Sequence, residues 1–362
     1  VVADGNPKRV NHSRFQSFLL VGLFLFFVGH FLLLNPSSLE DDFGAIRVVE
    51  PQNLLAFLKN EPKTALPDIP VGEVPSYALK DSTTYASSGD KPSFKLLAAR
   101  SNYYQKEQII HGLDVFVTFS DDTTIRANEG VFFTETNQAN FYGSVHTVFS
   151  NGATLDSEFA QAFMKPTTKI VIPMKEQALG MKVDGKTITH FTSQGLEYED
   201  VSPKIVHLLS DVHVWIKDEK LTDIYSDRAD YVYEEGYMNF WMDENRPLAE
   251  QFVKVHQPDL DIKSRTLDAN IEDGKQLHFI NAHGDVSMRD AQDPLKISTS
   301  TSGKAVYNLL KNDVTLTEFP QVYQEGDTIT GDLIIFHRTT DQVEAKQSNA
   351  IYNSVKRTDS QK

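Results

Sequence analysis

A β-type unit recurs along most of this chain, and it constrains the fold more than any other feature. Stretches opening at Leu96, Ile125, Leu155, Ile188, Ile224, Ile262, Ile297 and Ile329 share one grammar. An aliphatic residue starts a strand, a small or polar residue follows two or three positions later, and usually an aromatic or aliphatic one comes next. A polar turn and a second alternating run close the unit, several times at Gly or Asp followed by Val. The openings lie 29 to 38 residues apart. Periods of this size mark stacked architectures, in which one unit cannot bury its apolar face alone. Such a body presents one long continuous surface and is a poor frame for a catalytic pocket.

Residues 114–120 (DVFVTFS) alternate strictly, which places Val115, Val117 and Phe119 on one face and Phe116 and Thr118 on the other. Asp121-Asp122 makes the turn. Residues 143–150 (GSVHTVFS) repeat the figure and end at Asn151-Gly152, a strong hairpin signal. Later turns are expected at Glu235-Gly236, Asp273-Gly274, Asn312-Asp313 and Thr340-Asp341. No segment beyond Pro75 holds a helical period of apolar residues, so this part reads as nearly all β.

Ahead of the repeats, residues 15–34 carry no formal charge. A helix of that length spans about 30 Å, the hydrocarbon thickness of a bilayer. Lys8, Arg9 and Arg14 precede it, and Glu40, Asp41 and Asp42 follow. The positive-inside rule then predicts a cytoplasmic tail at 1–14, a single transmembrane helix at 15–34 and everything later outside the cytoplasm. The rival reading is a cleaved secretory signal, whose apolar core is shorter and whose A-x-A cut site does not follow Leu34. Residues 35–72 read as a linker with Pro36, Pro51, Pro62, Pro67 and Pro70, and 354–362 as a polar, disordered tail. The formal net charge of −15 and the lack of a basic stripe argue against nucleic acid. With no cysteine, a disulfide framework or Cys-based metal site is excluded.

One order of elements carries a resemblance. A single apolar segment is followed by the opening strand at Pro75-Ser76-Tyr77, then by FKLLAARSNYY (94–104), HGLDVFVTFSDDTTIRANEG (111–130), GSVHTVFSNGATLDSE (143–158) and KIVIPMKEQALGMKVDGKTI (169–188). This resembles the LptC family, the membrane-anchored periplasmic component of lipopolysaccharide export. Residues 261–290 and 302–345 resemble the OstA-like domain of the periplasmic bridge protein LptA. The chain looks like the two laid end to end, with an LptC-like jellyroll at 73–190 and an LptC/OstA-like extension at 191–353. A usual LptC is a single domain of about half this exported length and a usual LptA has no anchor, so the resemblance leaves open whether a separate LptA works beside this chain.

The resemblance implies an antiparallel β-jellyroll of two facing sheets, open along one side, whose apolar inner faces hold the acyl chains of a glycolipid. Each CH₂ left in water costs about 0.8 kcal/mol, so one fourteen-carbon chain costs on the order of 10 kcal/mol. A continuous apolar groove removes that barrier without catalysis. The inward candidates are Val115, Val117, Phe119, Ile125, Phe141, Val145, Phe149, Val212, Val214, Ile216, Val286 and Val322. The plain alternative for each is ordinary sandwich core. Unpaired edges would dock neighbours by strand addition. Tyr77 and Leu79 would form the edge toward an inner-membrane ABC transporter. Ile329, Leu333, Ile334 and Ile335, in a last strand at 328–336, would form the edge toward a downstream LptA-like or outer-membrane LptD-like jellyroll. A membrane-anchored β-solenoid spacer that binds no lipid is the competing reading, and the two differ in whether the space between the sheets is open or packed shut.

Catalytic signals are thin, and no cofactor is implied. Residues 180–187 (GMKVDGKT) fit the phosphate-binding loop pattern, which must open a helix. Residues 188–194 (ITHFTSQ) read as a strand instead, so Asp184-Gly185 is a turn. His111, His146, His207, His213, His278 and His283 are scattered in or beside strands and are expected to be exposed or satisfied rather than metal ligands. The acidic pairs Asp121-Asp122, Glu234-Glu235 and Glu272-Asp273 read as solvated turns.

Overall fold

The computed structural model describes residues 74–88, 91–164, 167–218, 220–232, 235–272, 276–293, 296–324, 326–340 and 342–351. The expected anchor at 15–34, the segments 1–14 and 35–72, the tail 354–362, and turn residues Glu234, Asp273, Gly274 and Asp341 lie outside them. Among the described residues no helix is long and apolar enough to cross a membrane.

Backbone pairing follows from the alternation. Every strand pairs antiparallel with its neighbours, and the described strands form one continuous ladder. The long strands are creased near their middles. Positive φ angles fall at Asp81, Asp114, Gly143, Ser144, Lys175, Gly195, Asp211, Gly284, Asp285, Glu318, Phe319 and Gln347. Register skips accompany them between Arg126 and Glu129, Tyr142 and Val145, Ile172 and Gln177, and His283 and Val286. A bulge of this kind bends a strand and re-aims it without ending the ladder. Where the crease is sharper the strand divides in two, as in Ile205–Leu208 with Val212–Lys217, and Asp313–Thr317 with Gln321–Gln324.

The creases fold the ladder into two layers. Layer A holds residues such as 115–119, 124–126, 145–148, 154–157, 179–184, 188–192, 212–217, 221–226, 253–257, 260–263 and 286–290, each paired with the next. Layer B holds 109–113, 129–133, 138–142, 169–172, 196–199, 205–208, 237–241, 313–317 and 333–337. Each pass climbs one layer, crosses the crease and descends the other. Two rows of hairpin turns therefore line the side opposite the creases. The inward side chains of both layers make one hydrophobic cluster running from Phe94 to Phe336. Phe94 of layer A stacks on Phe132 of layer B with ring centroids 6.0 Å apart.

The boundary expected at residue 190 falls inside the strand Thr187–Glu199, which pairs on both sides. The ladder does not break there, so the described residues make one body. The loop-like motif at 180–187 is the end of strand Lys169–Asp184, a turn with Gly185 at φ +61°, and the start of the next strand. Nothing in that geometry aims a helix N-terminus at a phosphate. Outer-face histidines meet acids across strand pairs. His146 bonds Asp156, His207 bonds Asp230 and His256 bonds Asp261, each at 2.6 Å, and His337 bonds Asp313 at 3.0 Å.

Candidate functional site: the interior between the layers and its seam

The crease decides what the interior is made of. In Asp114-Val115, Ser144-Val145, Asp211-Val212 and Asp285-Val286 the first residue takes positive φ and the valine after it is buried. Side-chain alternation from that valine onward fills the inner face of layer A. Val115, Val117, Phe119, Ile125, Val145, Val212, Val214, Ile216, Val286 and Val322 are buried on it, and Phe141 is buried on layer B. Phe149 is half-buried and packs against the same cluster. Phe116 points outward at 39% exposure, so the alternation across 115–119 is as the sequence predicts. The structure thus brings the twelve inward candidates into one cluster. It packs them against one another, with Val117 and Ile216 at 0% exposure.

A narrow apolar slot of about 20 Å³ lies between the layers. Phe191 and Val214 of layer A and Val206, Leu208, Ala229, Asp230, Tyr231, Met238 and Phe240 of layer B line it. Gly180 is needed beside it. A Cβ at that position would come within 1.9 Å of the Phe191 ring, so only a residue without a side chain lets the ring lie there.

The seam between the two rows of turns changes character along the chain. Near its start Phe149 of layer A meets Tyr198 of layer B edge-on, with ring centroids 4.9 Å apart. Met164, in the adjoining turn of layer B, is buried in the same cluster. In the middle, Lys182 of layer A lies 3.4 Å from the Tyr231 hydroxyl of layer B and 2.8 Å from Asp184. Burial disfavours the Lys182 charge, but the hydrogen bond to Asp184 and the neighbouring Tyr231 outweigh it and raise its pKa.

Toward the end, Arg338 crosses the seam. It follows the layer B strand Leu333–His337, and its side chain is 1% exposed. Nε donates to Asp290 Oδ2 at 2.6 Å, and Nη2 donates to Asp290 Oδ1 at 3.3 Å. Nη2 also reaches the Asp259 carboxylate at 3.1 Å and its carbonyl at 3.3 Å. Nη1 donates to Tyr307 Oη and Asn312 Oδ1, both at 3.1 Å. Asp259 and Asp290 belong to layer A, Tyr307 and Asn312 to layer B. Burial works against the Arg338 charge, and the bonds to Asp290 override it, pushing the pKa further up. Burial likewise opposes the Asp259 charge, and the Lys220 ammonium at 2.8 Å together with Arg338 holds its carboxyl below the usual range. An aromatic pair adds about 0.5–1.5 kcal/mol beyond area burial. Removing one partner of a buried ion pair costs about 3–5 kcal/mol. The seam is therefore weakly held at Phe149 and strongly held at Arg338.

A larger cavity of about 570 Å³ lies at the crease, under the segment 242–252. It is lined by Asp211, Tyr225, Asp227, Arg246, Lys254 and Lys263 among others. Asp227 grips Arg246 through both oxygens, and Arg265 donates to the carbonyl of Leu248, which anchors the segment.

Of the two strands expected to be edges, the first is paired on one side only among the described residues. Strand Tyr77–Ser88 pairs with Lys91–Tyr104 on one side, and Tyr77 and Leu79 are exposed at 59% and 53%. The other is displaced. Residues 328–336 are not one strand but Asp327–Thr330 and Leu333–His337 with a crease between them. Both are covered by further strands, Asn349–Ile351 and Gln342–Lys346. Ile334 is fully buried and Ile329 packs against the core, so Ile329, Leu333, Ile334 and Ile335 lie inside the sheet rather than at its edge. Among the described residues the last strands are 342–346 and 349–351.

Residues 242–342 match the family model described as LptA/(LptD N-terminal domain) LPS transport protein. That segment is similar to a lipopolysaccharide-transport domain. It holds Asp259, Asp290, Tyr307, Asn312 and Arg338, and it contains or overlaps the stretches 261–290 and 302–345 that resemble the OstA-like domain. Among solved structures the chain is similar to the crystal structure of LptH, the LptA homologous periplasmic component of the conserved lipopolysaccharide transport device from Pseudomonas aeruginosa. The TM-score is 0.33 at 17% identity, over 37% of this chain and 96% of that one. No curated protein matches the chain.

Proposed function

We propose that this chain is an inner-membrane-anchored periplasmic component of lipopolysaccharide export. In this reading it carries the lipid's acyl chains between layers A and B, taking them from an ABC transporter and passing them to a downstream jellyroll. The observation that supports the reading most is the family match over 242–342 on a body whose inward side chains form one uninterrupted apolar cluster. Residues 15–34 would hold the chain in the membrane with 1–14 in the cytoplasm. The exposed edge at Tyr77 and Leu79 would receive the transporter-side partner, and residues 342–351 would lead to the next jellyroll. Carriage requires the two layers to part, because the inner residues touch one another in the closed body.

That closed packing is the observation favouring the second reading, a spacer that binds no lipid. One experiment separates them. A photo-crosslinking residue at Val117 or Phe119 captures lipopolysaccharide in cells if the interior carries lipid, and the same residue at Thr118, on the outer face, does not. Equal capture at 117 and 118, or none at either, refutes the carrier reading.

A further inference from the structure

The seam gives lipid two very different places to get in from the side. At Phe149 and Tyr198 the closure is ring on ring, and an acyl chain sliding between the layers replaces one hydrocarbon contact with another. The apolar slot begins one strand beyond this lip, since Val206, which lines it, is the cross-strand partner of Tyr198, and Tyr231, which also lines it, takes the Lys182 contact. At Arg338 the opposite holds. Parting the layers there strands a guanidinium and the Asp290 carboxylate beside hydrocarbon, where an unpaired charge is least tolerable.

Resting on the lipid-carrying reading, we infer that the seam is a one-sided port for acyl chains. The lip formed by Phe149, Met164 and Tyr198 parts to admit a chain sideways into the slot beneath Phe191. Arg338 keeps the later seam bolted, so past that point a chain advances only lengthwise between the layers. The ligand class is a saturated acyl chain of a lipid whose polar part stays outside the lip.

The chain has no cysteine, so introduced pairs react alone. One double variant carries Phe149→Cys and Tyr198→Cys across the lip. A second carries Pro258→Cys and Thr339→Cys, on exposed positions flanking the Arg338 bolt. Each full chain, in nanodiscs, is linked with a bismaleimide that contains a reducible disulfide, and uptake of fluorescently labelled lipopolysaccharide is followed. The expected result is loss of uptake when the lip is linked, its return on reduction, and unchanged uptake when the bolt is linked. Wild-type uptake with the lip linked, or loss of uptake with only the bolt linked, overturns the inference while leaving lipid carriage intact. No uptake by the unlinked wild-type chain overturns the carrier reading itself, and the port falls with it.

Discussion

Replacing Arg338 with methionine tests how much the ion network holds the later seam. Methionine keeps an unbranched apolar stem and removes six polar contacts, two of them to Asp290 and two to Asp259. Asp259 keeps the Lys220 ammonium as a partner at Oδ2, and its side chain is 20% exposed. Asp290 does not fare as well, because its side chain is 10% exposed and the guanidinium supplies its ion pair. The loss is expected near the value for a broken buried pair, about 3–5 kcal/mol. With a urea m-value of about 3 kcal/mol/M, the upper range for small proteins, the midpoint falls by roughly 1–1.7 M. Hydrogen exchange should place the loosening at 286–290, 313–317 and 333–337. Adding Asp290→Leu to Arg338→Met removes the stranded carboxylate and should recover most of the loss, since apolar replacement of a whole buried pair is close to neutral. A single variant that loses under about 1 kcal/mol, or a double variant no better than the single, refutes the assignment of the bolt.

Other outcomes follow from the same geometry. Gly180→Ala drives a methyl into the Phe191 ring and should cost about 1–3 kcal/mol, relieved when Phe191→Ala is added; an undisturbed melting temperature would count against the close approach. Ile334→Pro deletes a ladder donor in a strand paired on both sides and leaves a buried carbonyl unmet, costing at least about 1–3 kcal/mol. Circular dichroism and protease sensitivity should therefore report loosening of the later body, and a stable variant that had lost only partner binding would restore Ile334 to the edge. The Asp259 carboxyl is held below its ordinary pKa in the folded chain, so its contribution is full above the unfolded pKa of about 4 and is lost as pH falls through the folded value. Urea midpoints at pH 6 and pH 3 should fall less far apart in Asp259→Asn than in the wild type, and an unchanged gap would remove Asp259 from the acid-sensitive set.

Much of the body was legible because alternation has one physical meaning. Val115, Val117 and Phe119 could only share a face once residues 114–120 were a strand, and Gly152, Gly185 and Gly236 mark turns that need positive φ. The creases were not legible as creases. Gly-Ser-Val, Asp-Val and Gly-Asp-Val read as the closing of a repeat, yet at 143–145, 211–212 and 284–286 they are the points where a strand passes from one layer to the other. Local preference for positive φ looks the same at a hairpin as at a bulge, and only the pairing partners on each side tell them apart. The misplaced edge has the same origin. Gly331 and Asp332 read as part of a strand, so the two covering strands beyond them went uncounted. Arg338 gave no signal at all, because it sits in a polar turn and its partners Asp259 and Asp290 are 79 and 48 residues away.

The same creases bear on how such a body could open. In a sandwich of two separate sheets the connections between sheets are loops, and parting the sheets strains them. Here each pass runs through both layers, so every ladder hydrogen bond lies within a layer or along the crease. Opening at the seam breaks none of them. Among the described residues the lip, the Lys182–Tyr231 contact, the buried cluster and the Arg338 bolt resist it. An acyl chain that moves in replaces the apolar part of that resistance with contacts of the same kind, so its net cost is small. The ionic part has no such replacement. The free energy of opening therefore rises from Phe149 toward Arg338, and under the proposed carrier reading lipid entering at the low end would meet a closed tube toward the high end.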